Sequence, residues 1–169
     1  MTIDGSNAKD FDDAVYAEEN SDGYLLYVAI ADVSEYVIQD SSLDKEALSR
    51  ATSVYFEKKI IPMLPELISN KLCSLRPNED KLVLTCQIYL DGEGEIKSYE
   101  FFNSVICSKN RLTYDEVEKF YQKGQTALSE DIVSNLNALK KIHALRRKIR
   151  EERKAIDFYL PEYLSLIHI

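Results

Sequence analysis

Histidine and cysteine are scarce in this chain. It holds two histidines, His143 and His168, and three cysteines, Cys73, Cys86 and Cys107, none in a CxxC pair. A structural zinc site needs four clustered nitrogen or sulfur ligands, so that class is set aside. The cysteines are odd in number and sit in apolar contexts, which reads as reduced core thiols. Missing too is an apolar run of about 18 residues, so no membrane span is expected. A charged, apolar, small-residue leader is also absent, and the expectation is a cytoplasmic protein. With 169 residues and 45% hydrophobic content, the chain has length for one domain with a sizeable core.

Positive charge is scarce at one end only. Residues 1–50 hold 12 acids against 3 bases, within a net charge of −8, whereas residues 140–154 hold 8 bases against 2 acids. The basic stretch suits either a track for phosphates or the charged face of a surface helix.

The acidic end carries a specific pattern. Asp4, Asp10, Asp12 and Asp13 fall within ten positions among almost no countercharge. Crowded carboxylates repel one another, so a cation must neutralise them, some must take up protons, or the segment must stay solvated. Oxygen-only ligands select a hard ion, Mg²⁺ first and Mn²⁺ second. Phe11 is interleaved among the acids, and Ala14 and Val15 lead toward an apolar strand, content unusual for a purely solvated loop. Gly5 directly after Asp4 permits a turn or a close backbone approach. An EF-hand loop counted from Asp10 would need Gly and Glu where Val15 and Ser21 stand. An aspartyl-phosphate enzyme would place Asp10-Phe11-Asp12 after a buried apolar strand, but residues 6–9 are Ser-Asn-Ala-Lys. Spacing alone leaves a metal site and a solvated acidic turn both open.

Periodicity predicts an α+β fold with a mixed, mainly antiparallel sheet flanked by helices. Residues 14–17 and 24–33 read as strands joined across Asp22-Gly23, the second of them buried, and residues 82–90 and 96–107 as a hairpin around Asp91-Gly-Glu-Gly94. Residues 43–53 read as a helix and 61–65 as an irregular linker set by Pro62 and Pro65. Thr113-Tyr-Asp-Glu116 is a capping box opening a helix that stops near Gly124, with a connector over residues 121–130. From 130 to about 153, Ile132, Leu136, Leu139, Ile142, Leu145 and Ile149 form one helical stripe. Strands precede helices, which disfavours a doubly wound parallel sheet.

The segment Thr2-Ile-Asp-Gly-x-x-Ala-Lys-Asp-Phe-Asp-Asp-Ala-Val15 resembles the opening motif of the catalytic domain of the RNase II / RNase R family of 3′→5′ exoribonucleases. Further stretches agree in order: Val28-Ala-Ile-Ala-Asp-Val-Ser34, Leu43-Asp-Lys-Glu-Ala47, Thr52-Ser-Val-Tyr55, Ile61-Pro-Met-Leu-Pro-Glu66, Leu72-Cys-Ser-Leu75, Ser108-Lys-Asn-Arg-Leu-Thr-Tyr114 and Ala155-Ile-Asp-Phe158. The likeness is strongest to the RNase R branch. Ala29 and Glu35 stand where family members often carry histidine.

The resemblance implies hydrolysis of single-stranded RNA from its 3′ end to nucleoside 5′-monophosphates, with DNA not expected as a partner. It makes Asp4, Asp10, Asp12 and Asp13 the catalytic and metal-binding aspartates, served by Mg²⁺ with Mn²⁺ possible. Tyr55 matches the tyrosine that stacks near the 3′-terminal base, and Phe158 matches its partner. The likeness covers the first half of the catalytic domain, over residues 1–163. The flanking RNA-binding modules, an Arg-Arg-Tyr-type segment and a supporting glutamate are not in the chain. Residues 164–169, Leu-Ser-Leu-Ile-His-Ile, are what translation of a sequencing-adaptor end yields, and are expected to be such a tail. The expected function is therefore a metal-dependent exoribonuclease as part of a longer enzyme, or else an inactive metal- or RNA-binding fragment. An incomplete catalytic domain should also bare apolar surface.

Overall fold

The computed structural model describes residues 1–56, 59–124 and 128–156. Phe158 and residues 164–169 lie outside the described residues. The central element is a four-stranded antiparallel sheet of β2 (Asp13–Asn20), β3 (Gly23–Ala31), β6 (Asp80–Leu90) and β7 (Ile96–Cys107), in that order. The short strands β1 (Thr2–Asp4) and β8 (Arg111–Thr113) pair in parallel, and β4 (Val54–Phe56) pairs with β5 (Lys59–Ile61). Helices α1 (Ser42–Arg50), α2 (Tyr114–Lys123) and α3 (Glu130–Glu152) complete the α+β fold.

Both expected hairpins form; β2 and β6 outrun their apolar patterns, β7 keeps its expected bounds, and β3 stops at Ala31 instead of 33 because Asp32 caps a 3-10 turn that takes Val33. The β2–β3 register closes with Asn20 opposite Gly23. Gly23 has φ 142°, and a Cβ there would stand 2.1 Å from the carbonyl oxygen of Leu90, so only glycine fits this approach. The β3 strand is less buried than its apolar run suggests, since Ile30 is 47% exposed. The capping box forms: Thr113 Oγ1 accepts from the Glu116 N–H at 3.2 Å and Glu116 accepts from the Thr113 N–H at 2.7 Å. Helix α2 closes on Gly124 at φ 65°, so the expected connector begins only there.

Two expectations need correction around residues 43–65. Helix α1 stops at Arg50 because Ala51 turns to φ 63°, and Val54 to Phe56 then runs as a strand. Strand β5 takes in Ile61, the first residue of the expected linker, leaving 62–65 irregular. Such short two-stranded pieces carry no alternation long enough to read.

Cross-strand partners share a sheet face, which locates the core. On one face, Ala14, Ala29, Ala31 and Val83 pack with Phe11, Ile68, Cys73 and Leu75. On the other, Ala17, Tyr24 and Leu90 meet Ala138 and Ile142 of α3. A third cluster joins Leu112 and Phe120 to Ile132 and Leu136 of α3, with Leu139 touching both α3 clusters. The predicted apolar stripe of α3 thus holds two cores together. Buried Asn135 accepts from the outward Ala17 N–H at 3.2 Å, which blocks the β2 edge against foreign strands. The rest of the second face is bare: Ile30, Leu82, Leu84, Phe101 and Val105 are all exposed.

All three cysteines are free thiols, Cys73 buried and the other two half-buried. Among the described residues no helix is long and apolar enough to cross a membrane. The basic stretch forms the surface of α3, where Lys141 pairs with Glu19 at 2.6 Å, Arg147 with Glu151 at 3.2 Å, and Lys140 stands over the Tyr121 ring. Those bases are engaged on the protein itself, as on an ordinary surface helix.

Candidate functional site

The acidic segment is held from three sides. Asp4 ends β1, whose pairing with β8 puts it opposite Thr113. Its carboxylate accepts from the Gly5 N–H at 2.7 Å, starting a turn closed by the Ala8 N–H donating to the Gly5 carbonyl at 3.1 Å. The chain then passes Ser74 and Leu75, which are wholly buried. Ser74 Oγ accepts from the Phe11 N–H at 3.1 Å and donates to the Lys9 carbonyl at 2.9 Å. The Leu75 N–H donates to the Phe11 carbonyl at 2.8 Å, and the Ala31 N–H to the Asp12 carbonyl at 2.8 Å. Backbone groups of Lys9, Phe11 and Asp12 thus have partners, so Asp10, Asp12 and Asp13 project from a segment held along its length.

Phe11 explains the apolar residue among the acids: it is 6% exposed and packs into the core with Leu75 and Val83. Its burial forces its neighbours Asp10 and Asp12 outward. Asp13 opens β2 opposite Ile30.

The electrostatics mark the cluster as short of positive charge. Burial pushes Asp12 above the ordinary carboxylate range, and Asp10, Asp13 and Asp4 add to the shift in that order. Asp13 is also raised, by burial and then by Asp4, against a hydrogen bond from its own backbone. The four carboxylates therefore feel one another. Among the described residues no three His, Cys, Asp or Glu side chains are drawn together as a ready-made metal cage. Mutual repulsion without a countercharge opposes such convergence. The donors are all hard carboxylate oxygens, whose chemistry suits a divalent hard cation. Beside it Cys73 is pushed up by burial and then by Asp12, so its thiol stays protonated.

A cleft of 770 Å³ opens beside the cluster, and Asp10 and Tyr55 both line it with Asn70, Arg76 and Arg111. The paired strands β4 and β5 present Tyr55, 67% exposed, on the same cleft as Asp10. The structure thus brings two of the sequence-derived candidates onto one cleft, and keeps Asp12 and Asp13 on the adjoining β2 entry. Another cavity of 500 Å³, lined by Tyr16, Tyr27 and Phe102 among others, holds none of the four aspartates.

The floor of the cleft is a π-helical turn, Ile68–Leu72, whose Ser69 and Asn70 face it. Lys81, 8% exposed, donates to the Lys71 carbonyl at 2.5 Å at the end of that turn and pairs with Glu79 at 2.9 Å. Residues that sequence reasoning quoted without a role, Ser74 and Arg111, prove to hold the acidic segment. Their signal was the polar serine inside the apolar Leu72-Cys-Ser-Leu75 run; a serine there must find partners when buried. Arg111 carried no comparable signal.

Residues 1–168 match the family model described as the RNB domain. Ribonuclease R of Acidithiobacillus ferrooxidans is 46% identical over 160 residues, covering 94% of this chain and 36% of that protein. The structure of Mycoplasma genitalium RNase R in complex with double-stranded RNA superimposes with a TM-score of 0.90 at 38% identity, covering 93% of this chain and 28% of the other. The same protein in complex with ribose methylated single-stranded RNA gives 0.89 at 38% identity, covering 92% and 24%. The chain spans about a third or less of the length of these proteins.

Proposed function

The chain belongs to the RNB domain family, and from that premise we propose that it is the metal-binding portion of a hydrolytic 3′→5′ exoribonuclease acting on single-stranded RNA. The observation that carries the proposal is the carboxylate cluster on a backbone clamped by Ser74, Leu75 and Ala31, opening beside a cleft with an exposed aromatic ring. The complexes of the Mycoplasma genitalium relative with RNA support RNA as the ligand.

Asp4, Asp10, Asp12 and Asp13 would hold Mg²⁺, with Mn²⁺ as the substitute. Held by these carboxylates, divalent ions would supply Lewis-acid activation of water and charge neutralisation at the leaving oxygen. The protein's own contribution is placement. The clamped backbone keeps the carboxylates where a terminal phosphodiester can reach them, so little is spent on reorganisation at the moment of reaction. Tyr55 would stack on a base near the 3′ end; stacking ignores base identity, which suits trimming of any sequence. Phe158 is proposed as a second ring on the RNA, and the setting is cytoplasmic.

The test uses a chimera in which residues 2–156 replace the matching segment of Acidithiobacillus ferrooxidans Ribonuclease R. With Mg²⁺ it should shorten 5′-labelled single-stranded RNA stepwise from the 3′ end and release mononucleotides. Asp12→Asn should abolish trimming while RNA binding persists. Near wild-type trimming by that variant, or trimming undiminished in excess EDTA, refutes the assignment.

A further inference from the structure

Arg111 touches both ends of the loop that separates the first two aspartates. Its place in β8, opposite Thr2 of the parallel β1 strand, sets its Cα beside the strand that ends at Asp4. From there Nη2 donates to the Gly5 carbonyl at 3.0 Å and to the Ser6 carbonyl at 2.9 Å. The guanidinium carbon also lies 5.1 Å from the centroid of the Phe11 ring, the residue between Asp10 and Asp12. One side chain thus grips the two carbonyls that follow Asp4 and covers the ring that carries Asp10 on its shoulder.

The grip is made at some cost. Arg111 Nε is buried and lacks a hydrogen-bond partner among the described residues. An apolar side chain of similar length would fill the space without stranding that nitrogen. What the apolar chain could not do is bridge two successive carbonyls while setting a cation over an aromatic ring. Lysine has donors enough for both carbonyls, which Nη2 reaches alone, but no planar face to set over the ring.

We propose that Arg111 is a positioning residue: it fixes the separation of Asp4 from Asp10 by clamping the 5–9 turn, and thereby sets the affinity of the carboxylate cluster for a divalent ion. The inference rests on the metal-site reading above. It makes an unusual demand on sign. Arg111 is a cation beside a cation site, so by charge alone its removal should tighten metal binding. Positioning requires the opposite, because a slack turn lets mutual repulsion drive the carboxylates apart.

The experiment is Mn²⁺ titration of the 169-residue chain, following loss of the free-ion EPR signal, for wild type, Arg111→Met, Arg111→Lys and Asp10→Asn. Both Arg111 variants should bind roughly 10–100-fold more weakly, the range seen when groups that orient metal ligands are lost. Arg111→Lys is the sharper case, since it keeps the charge and loses the planar group over Phe11. If Arg111→Met binds as tightly as wild type or more tightly, the positioning role is overturned. If circular dichroism shows that Arg111→Met is unfolded, Arg111→Lys decides, together with amide exchange over residues 5–9 in folded protein. Faster exchange there supports the clamp, and unchanged protection with unchanged affinity removes it. Wild type without a saturable Mn²⁺ site, or Asp10→Asn with wild-type affinity, defeats the metal-site reading itself and this inference with it. Wild-type binding lost in Asp10→Asn and kept in Arg111→Met defeats this inference alone.

Discussion

Replacing Ser74 by alanine isolates the support of the acidic segment from the acids themselves. The hydroxyl is the sole side-chain partner of two backbone groups, the Phe11 N–H at 3.1 Å and the Lys9 carbonyl at 2.9 Å. At 0% exposure no water replaces it without a rearrangement. Each stranded backbone group costs about 1–3 kcal/mol, so the two together should lower stability by about 2–4 kcal/mol once partial relaxation is allowed. In a chain of this size each kcal/mol moves the midpoint by about 2–4 °C, giving a fall of roughly 5–15 °C. Urea denaturation followed by far-ultraviolet circular dichroism measures the free energy, with Ser69→Ala as the control. Ser69 Oγ donates only to the adjacent Asn70 side chain, and its loss should cost under about 0.5 kcal/mol. The site should suffer as well as the fold, because Phe11 sits between Asp10 and Asp12 and a loosened Phe11 moves both. Divalent-ion binding by the folded fraction should therefore weaken. A loss below about 0.5 kcal/mol for Ser74→Ala, equal to the control, would show that the two hydrogen bonds are not what holds the segment.

Two further outcomes are expected. Asp12 and Asp13 are both held above the ordinary carboxylate range. The folded chain therefore keeps their protons to higher pH than the unfolded chain, which releases them near pH 4. Stability from these groups is present below that pH and is lost as pH rises through the raised values. Denaturation of metal-free wild type and Asp12→Asn across pH 4–7 should show the variant gaining on wild type as pH rises, and Mg²⁺ should restore wild type by about 2.7 kcal/mol at a hundredfold excess over its Kd. A difference flat with pH would mean that neither burial nor mutual repulsion raises these carboxylates in the fold. Tyr55→Ala in the chimera should weaken binding of a single-stranded RNA by about 1–3 kcal/mol, measured by fluorescence anisotropy, and unchanged affinity would take Tyr55 off the RNA path.

Much of the architecture was legible because it is local. Asp22-Gly23 and Asp91-Gly-Glu-Gly94 mark turns through backbone chemistry, Thr113 and Glu116 satisfy one another's backbone, and the stripe from Ile132 to Leu145 follows from helical period. The β4–β5 strand pair and the π-helical turn Ile68–Leu72 were not legible, since three to five residues leave no period to read. The same contrast holds at the site. Asp4, Asp10, Asp12 and Asp13 stand out because like charges within ten residues cannot avoid one another.

What the sequence determined alone is the charge density, the donor chemistry and the order of motifs that marks the RNB domain, all of which survive in any conformation. Tertiary structure decided which distant residues support that density. The hydrogen bond from Ser74 to Lys9 spans 65 positions and that from Arg111 to Gly5 spans 106. No local pattern encodes either, because each depends on sheet register and on how the core of Phe11, Leu75 and Val83 closes. The cleft that joins Tyr55 to Asp10 exists only after that closure.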